Sequence, residues 1–286
     1  MQYKIPFSGR AHNYTQEEID SVVSTMQSAI PLTQGRHQQD FQEKFCRYIG
    51  AKYAFALNNA TAGLELAAQL CQFENGDEVI IPGHTFTASA YPFLKKGAKI
   101  VWADIDLDTK VVTAETIEKC ISDQTKAIVA VHLYGYGIDM PSIMRLAKEN
   151  DLLVIEDTAQ ALGVEINGKM AGTFGDFGVF SFHSHKNITT LGEGGMLTVK
   201  DDRISEIIPM LRHNGHCVFD YERESYWKPA MGNVDLPELN GKPLWPNNYC
   251  LGEVECALGS KLLDRVDQVN KEKRQRALIF IDSLVD

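Results

Sequence analysis

A chain of 286 residues, 44% of them apolar, can bury one large globular domain and begin a second. Its formal net charge of -10 disfavours nonspecific binding to nucleic acid or to an anionic membrane, while leaving room for a local basic pocket around a phosphorylated ligand. No apolar run approaches bilayer-spanning length, and Met1-Gln2-Tyr3-Lys4 leads into no signal-peptide core, so a cytoplasmic location is expected.

Thr15-Gln16-Glu17-Glu18 reads as a capping box, and Ile19, Val22, Val23 and Met26 continue at helical spacing. A second helix carries Phe41, Phe45 and Tyr48 and stops at Gly50. Tyr53 to Leu57 is a short strand, turned by Asn58-Asn59-Ala60-Thr61-Ala62-Gly63 into a helix with Leu64, Leu66, Ala67 and Leu70 on its apolar side. Strands follow at Val79 to Ile81, Lys99 to Ala103, Ala127 to His132, Leu152 to Ile155, Phe177 to Phe182 and Met196 to Val199. Helices are expected over Thr85 to Leu94 despite Pro92, and over Thr113 to Ile121, Met140 to Glu149 and Ile204 to Arg212. Strands apolar on both faces and separated by helices predict an α/β fold, with a largely parallel sheet covered on both sides. Open sheets of this kind take ligands at the carboxyl ends of their strands. His213 to Pro246 is a long stretch rich in Gly, Pro, Asn and aromatic residues, helical signals return from Leu251, and a further helical run begins near Val266.

The stretch from Asp157 to Gly195 organises the rest. Lys186 lies between a strand end and Gly192-Glu193-Gly194-Gly195, beside His183 and His185. A lysine that attacks a carbonyl must be partly desolvated, so that its amine is neutral, and Phe182 and Ile188 flank it. Asp157 follows Leu152-Leu153-Val154-Ile155 at another strand end, and the alternation of a strand sends Glu156 to the opposite face. A carboxylate there can keep a pyridine nitrogen protonated; taken alone it reads more readily as a helix cap or turn residue. Asn59-Ala60-Thr61-Ala62-Gly63 opens a helix, whose first N–H groups and dipole suit a phosphate. Ser181 adds a hydroxyl, and Phe86 is either a stacking face for a flat heterocycle or a core aromatic. His183-Ser184-His185 lacks supporting ligands at metal spacing, so no metal is expected. The six cysteines, at 46, 71, 120, 217, 250 and 256, form no Cys-x-x-Cys pair and read as reduced thiols.

Taken together, Leu32-Thr33-Gln34-Gly35, Gly50-Ala51-Lys52-Tyr53-Ala54, Ala60-Thr61-Ala62-Gly63-Leu64, Gly76-Asp77-Glu78-Val79-Ile80, Val131-His132-Leu133-Tyr134-Gly135, Ile155-Glu156-Asp157-Thr158-Ala159-Gln160 and the Lys186 stretch resemble the DegT/DnrJ/EryC1/StrS sugar aminotransferases. The resemblance implies the type I aminotransferase fold, three-layer α/β/α with a mostly parallel seven-stranded sheet. Residues 1–250 would form the large cofactor-binding domain with an N-terminal helical segment, and 251–286 the start of a small C-terminal domain that is here incomplete. It implies pyridoxal 5'-phosphate as cofactor, with Lys186 as covalent anchor and proton shuttle and Asp157 on the ring nitrogen. Gln160 would contact the ring's phenolic oxygen, Phe86 would stack on the ring, and Thr61, Ala62 and Ser181 would bind the phosphate. Pro246-Asn247-Asn248-Tyr249 resembles a loop whose asparagine reaches the neighbouring subunit's phosphate, which makes Asn248 the candidate in a homodimer with shared sites. Phe7, His183 and His185 are candidates for substrate contact.

The implied activity is transfer of an amino group, from glutamate by resemblance, to a nucleotide-linked keto sugar of 4-keto-6-deoxy type, in polysaccharide, lipopolysaccharide or other glycoconjugate biosynthesis. No nucleic acid or membrane partner is expected. A PLP-dependent sugar dehydratase or lyase of the same family and a non-catalytic regulator are the alternatives. Where relatives often read Tyr-Asn-Tyr-Arg this chain has Asn247-Asn248-Tyr249-Cys250, and its 219–248 stretch is expected to shape the sugar pocket.

Overall fold

A computed structural model gives the structure of residues 12–215 and 236–284. Seven strands form one sheet: β1 (Tyr53–Leu57), β2 (Glu78–Pro82), β3 (Lys99–Ala103), β4 (Thr125–Val131), β5 (Leu153–Asp157), then, after a small ribbon of β6 (Glu165–Ile166) and β7 (Lys169–Met170), β8 (Phe177–Ser181) and β9 (Gly195–Val199). Their spatial order is β1-β9-β8-β5-β4-β2-β3. The five strands from β8 to β3 pair in parallel, and β9 runs antiparallel to both its neighbours, so β1 points the same way as the five. Every strand expected from the sequence is present, and the fold is the α/β class expected.

The period-two alternation of the strands divides the core. Leu57, Phe177, Val179, Leu197 and Val199 join the layer of α3 (Ala60–Leu70). Ala54, Ala56, Phe180, Phe182 and Met196 face the other way, onto Phe41 and Phe45 of α2 (Arg36–Ile49). Phe41, Phe45, Phe180 and Phe182 meet there at ring-centroid distances of 4.9–6.3 Å. Gly50 ends α2 at φ 73°, a left-handed cap that glycine takes without penalty. The capping box is observed: in α1 (Gln16–Ser28) Thr15 Oγ1 accepts from the Glu18 N–H, and a Glu18 carboxylate oxygen accepts from the Thr15 N–H.

The expected helix over Thr85 to Leu94 is instead two pieces, a 3₁₀ turn at Thr87–Ser89 and α4 (Tyr91–Lys95), with Ala90 between them at φ -116°, ψ -54°. Pro92 falls in the first turn of α4, where its missing N–H costs nothing. The expected helices at 113–121, 140–149 and 204–212 are α5 (Ala114–Glu118), α6 (Met140–Glu149) and α7 (Asp202–Leu211). A short ribbon of β10 (Glu238–Leu239) and β11 (Lys242–Pro243) lies further along the chain. Next come α8 (Glu253–Leu263) and the long α9 (Val266–Asp282). α8 packs on α1 and α2, and its Glu253, 1% exposed, accepts the N–H groups of Gly35, His37 and Gln38 at the start of α2.

Candidate active site

The carboxyl ends of β1, β2, β4, β5 and β8 surround one cleft of about 450 Å³, within the size range of small-molecule sites. At the end of β1, Asn59 caps α3 by accepting the Ala62 N–H on its side chain at 2.8 Å. Ala60 and Thr61, which follow it, line the cleft. Gly195 pairs with both Leu57 and Ser181, and a Cβ there would lie 2.5 Å from Asn59 C and 2.6 Å from Ala60 N. Only glycine lets β9 come this close beneath the start of α3.

β5 delivers two consecutive carboxylates to opposite sides. Glu156, fully buried, accepts from the backbone N–H groups of Gly172 (2.8 Å), Phe174 (2.6 Å) and Gly175 (2.7 Å) and pairs with His132 Nε2 at 3.1 Å. The Ile138 N–H donates to His132 Nδ1, so the proton of His132 sits on Nε2 and is donated to Glu156. Asp157, on the other face, lines the cleft. Its Oδ1 accepts the Ala159 N–H at 3.1 Å, and its Oδ2 accepts from Ser89 Oγ at 2.6 Å.

Beyond β8 the chain turns through His183 to Lys186, with the Lys186 N–H bonded to His183 O at 2.9 Å. It returns along the glycine turn, where the Ser184 N–H meets Gly192 O and the Phe182 N–H meets Gly194 O. His12 Nε2 donates to Lys186 O at 2.9 Å, tying the first described residue to this turn. Burial pushes the Lys186 amine below the ordinary lysine range, and the Asp157 carboxylate pulls it partly back. More of the amine is therefore neutral, as nucleophilic attack on a carbonyl requires.

Of the residues singled out from sequence, Thr61, Phe86, Asp157, Gln160, Ser181, His183 and Lys186 all line this cleft. Phe86 is 67% exposed, which removes the core-aromatic reading. Gln160 Oε1 accepts the Tyr134 N–H at 2.8 Å. Ala62 is buried, lines a neighbouring hollow with Thr61, and spends its N–H on Asn59. His185 stacks on His183 at 5.5 Å between centroids and lies outside the cleft wall. Asn248 also lies outside it, bridged to His213, with its carbonyl 3.5 Å from Asn58 Nδ2. Phe7, Cys217 and most of the 219–248 stretch lie outside the described residues. The other five cysteines are free thiols. Sequence reasoning missed Ser89 and Glu193, which also line the cleft. The only signal for Ser89 was a hydroxyl four residues beyond Thr85.

A sequence model of the DegT/DnrJ/EryC1/StrS aminotransferase family matches residues 12–286. The GDP-perosamine synthase of Caulobacter vibrioides is 39% identical over 251 residues, 88% of this chain and 62% of that protein. PseC of Helicobacter pylori, an aminotransferase of pseudoaminic acid biosynthesis, superposes with a TM-score of 0.85 at 29% identity over 98% of this chain and 71% of that one. The Escherichia coli GDP-4-keto-6-deoxy-D-mannose-3-dehydratase with bound hydrated PLP gives a TM-score of 0.82 at 25% identity over 99% and 74%. The chain spans about two thirds of the length of the curated relatives it matches.

The residues present fit pyridoxal phosphate. Its aldehyde needs an amine held partly neutral (Lys186), its ring nitrogen a fixed carboxylate (Asp157), and its flat ring an exposed aromatic at the cleft (Phe86). Its phosphate needs a helix start with hydroxyls, which Thr61 and Ser181 supply beside the close approach at Gly195.

Proposed function

The chain belongs to the DegT/DnrJ/EryC1/StrS aminotransferase family, and from that premise we propose that it transfers an amino group from glutamate to a nucleotide-linked 4-keto-6-deoxy sugar. The observation that carries this reading is Lys186 and Asp157 lining one cleft, with the Asp157 charge acting on the Lys186 amine. Bound there, pyridoxal phosphate supplies an electron sink for the carbon that gains or loses the amine. The neutral Nζ of Lys186 takes up and returns the proton at that carbon. Asp157 would hold the ring nitrogen, Phe86 and Gln160 would fix the ring, and Thr61 and Ser181, which line the cleft, would hold the phosphate end. Of the candidate substrate contacts, His183 lines the cleft and would face the substrate.

Some relatives in the family replace this lysine with histidine and act as dehydratases, so Lys186 favours amine transfer over the dehydration named for the E. coli neighbour. Similarity to a GDP-perosamine synthase supports a GDP-linked sugar, and similarity to the spore coat polysaccharide biosynthesis protein SpsC of Bacillus subtilis supports a role in polysaccharide assembly. We further propose a homodimer in which Asn248, outside its own cleft wall, completes the partner's phosphate site. Residues 251–286 would begin a smaller unit, to which α9 contributes its exposed Leu278, Ile279, Phe280 and Ile281. Among the described residues no helix is long and apolar enough to cross a membrane. The free thiols agree with a cytoplasmic location.

The test is direct. The purified chain with pyridoxal phosphate should show a visible band that glutamate bleaches, and Lys186→Ala should lack it. Turnover on a panel of nucleotide-linked keto sugars then separates the readings. Amine transfer supports the proposal, water loss without it assigns a dehydratase, and ligand binding without turnover assigns a regulator.

A further inference from the structure

We propose that Thr85 and Ser89 form a two-hydroxyl relay that holds the Asp157 carboxylate as an oriented anion for a protonated ring nitrogen, making Ser89 a positioning residue of the reaction. The inference deepens the cofactor reading above and rests on it.

The hydrogen directions follow from counting protons. Ser89 is fully buried, and its Oγ lies 2.6 Å from Asp157 Oδ2 and 2.8 Å from Thr85 Oγ1. A serine hydroxyl has one proton. The carboxylate is an acceptor only, so that proton goes to Asp157 and Thr85 must donate to Ser89. Each hydroxyl in such a chain polarises the next. With the Ala159 N–H on Oδ1, both carboxylate oxygens are occupied once, which fixes the plane of the group and leaves each a further lone pair.

The topology explains why the contact needs a device. β4 lies between β2 and β5, so the segment after β2 must cross the end of β4 to reach Asp157. The 3₁₀ turn makes that crossing and carries two functions at once. The Ser89 N–H donates to Phe86 O at 3.0 Å, so the residue that clamps the acid is bonded to the residue that would cover the ring. An uninterrupted helix over 85–94 would not contain this turn.

With the relay, the carboxylate is fixed in one orientation and keeps a lone pair on each oxygen for a pyridinium N–H; without it, the group can rotate and the acceptor is no longer preorganised. A serine that only fills space would not distinguish a ring nitrogen from a ring carbon.

The experiment compares two aldehyde-free ligands, 4'-deoxypyridoxine phosphate and its analogue with the ring nitrogen replaced by carbon. Their Kd values are measured on wild type, Ser89→Ala and Thr85→Val. Wild type should prefer the nitrogen ring by about tenfold or more, the size expected of one hydrogen bond to a charged group. Ser89→Ala should erase most of that preference while leaving affinity for the carbon analogue within about twofold, and Thr85→Val should shift it the same way by less. Equal weakening of both ligands by Ser89→Ala, or no change in either, overturns the relay. Should Ser89→Ala fail to fold, Thr85→Val decides: a preserved preference overturns the proposal and a reduced one supports it. A wild type that binds neither ligand overturns the cofactor reading, and the relay with it. A wild type that binds both equally overturns the Asp157 contact and the relay built on it, while leaving the cofactor reading in place.

Discussion

Glu156 and Asp157 are consecutive carboxylates on one strand, both buried, and they are used in opposite ways. Behind the strand, Glu156 receives three backbone N–H groups and the His132 ring. In front of it, Asp157 receives one hydroxyl and one N–H and opens onto a cleft. The saturated acid joins β5 to the 172–175 turn and to the start of the 133–138 loop. The unsaturated acid keeps capacity for a ligand. Position within a strand, not residue type, separates scaffold from site.

The largest effect that would break this contrast lies behind the strand. In Glu156→Gln the amide NH₂ must oppose either the Gly172 N–H and the His132 Nε2–H or the Phe174 and Gly175 N–H groups. Moving the His132 proton to Nδ1 only transfers the conflict to the Ile138 N–H. Two buried donors lose an acceptor at about 1–3 kcal/mol each, so unfolding free energy in urea should fall by about 4 kcal/mol. A loss under ~1 kcal/mol would show that Glu156 is no anchor.

Asp157→Asn should reverse the balance. The amide oxygen still accepts the Ala159 N–H, and its NH₂ can donate to a rotated Ser89 hydroxyl, so stability should change by less than about 1 kcal/mol. Turnover should drop about 10²–10³-fold, as when one preorganised electrostatic partner is removed. Comparable losses of stability from both substitutions would erase the distinction between the two carboxylates.

How far this could be read in advance differs between the two sides of β5. The seven strands, the opposite faces of Glu156 and Asp157, and seven cleft residues were legible, because alternation and strand-end position are local properties. Ser89 was not, since it lies 68 residues from Asp157 in a segment with helical spacing. The turn there answers to tertiary contact across β4, not to local propensity. The partners of Glu156 were hidden for the same reason: backbone N–H groups leave no mark on sequence. Gly195 was legible as a turn residue but not as the floor beneath α3.

A pH measurement sharpens the front side further. Burial holds Lys186 below the ordinary lysine range in the folded chain. Between that lowered value and the unfolded one, the unfolded chain binds more protons, so the stability of the cofactor-free protein should rise with pH across the window. Lys186→Met should remove this rise. Asp157→Asn should widen the window downward, because the charge that pulls the lysine back is gone. A pH-stability curve unchanged by Lys186→Met would place the amine in bulk-like water.

The smallest effect tests the cleft's outer wall. Phe41, Phe45, Phe180 and Phe182 are sealed in the core, whereas Phe86 is 67% exposed at the cleft. Phe86→Ala should therefore leave stability within about ±0.5 kcal/mol, as for surface positions. Truncating a core phenylalanine costs about 3–5 kcal/mol. A ring that stacks on a flat ligand contributes about 0.5–1.5 kcal/mol beyond area. Affinity for pyridoxal phosphate should then weaken roughly 3- to 10-fold in a fluorescence titration. Unchanged affinity with lost stability would return Phe86 to the core reading and leave the cleft with no cover for a ring. Lost affinity with unchanged stability would mark Phe86, like Asp157, as a residue kept for its ligand.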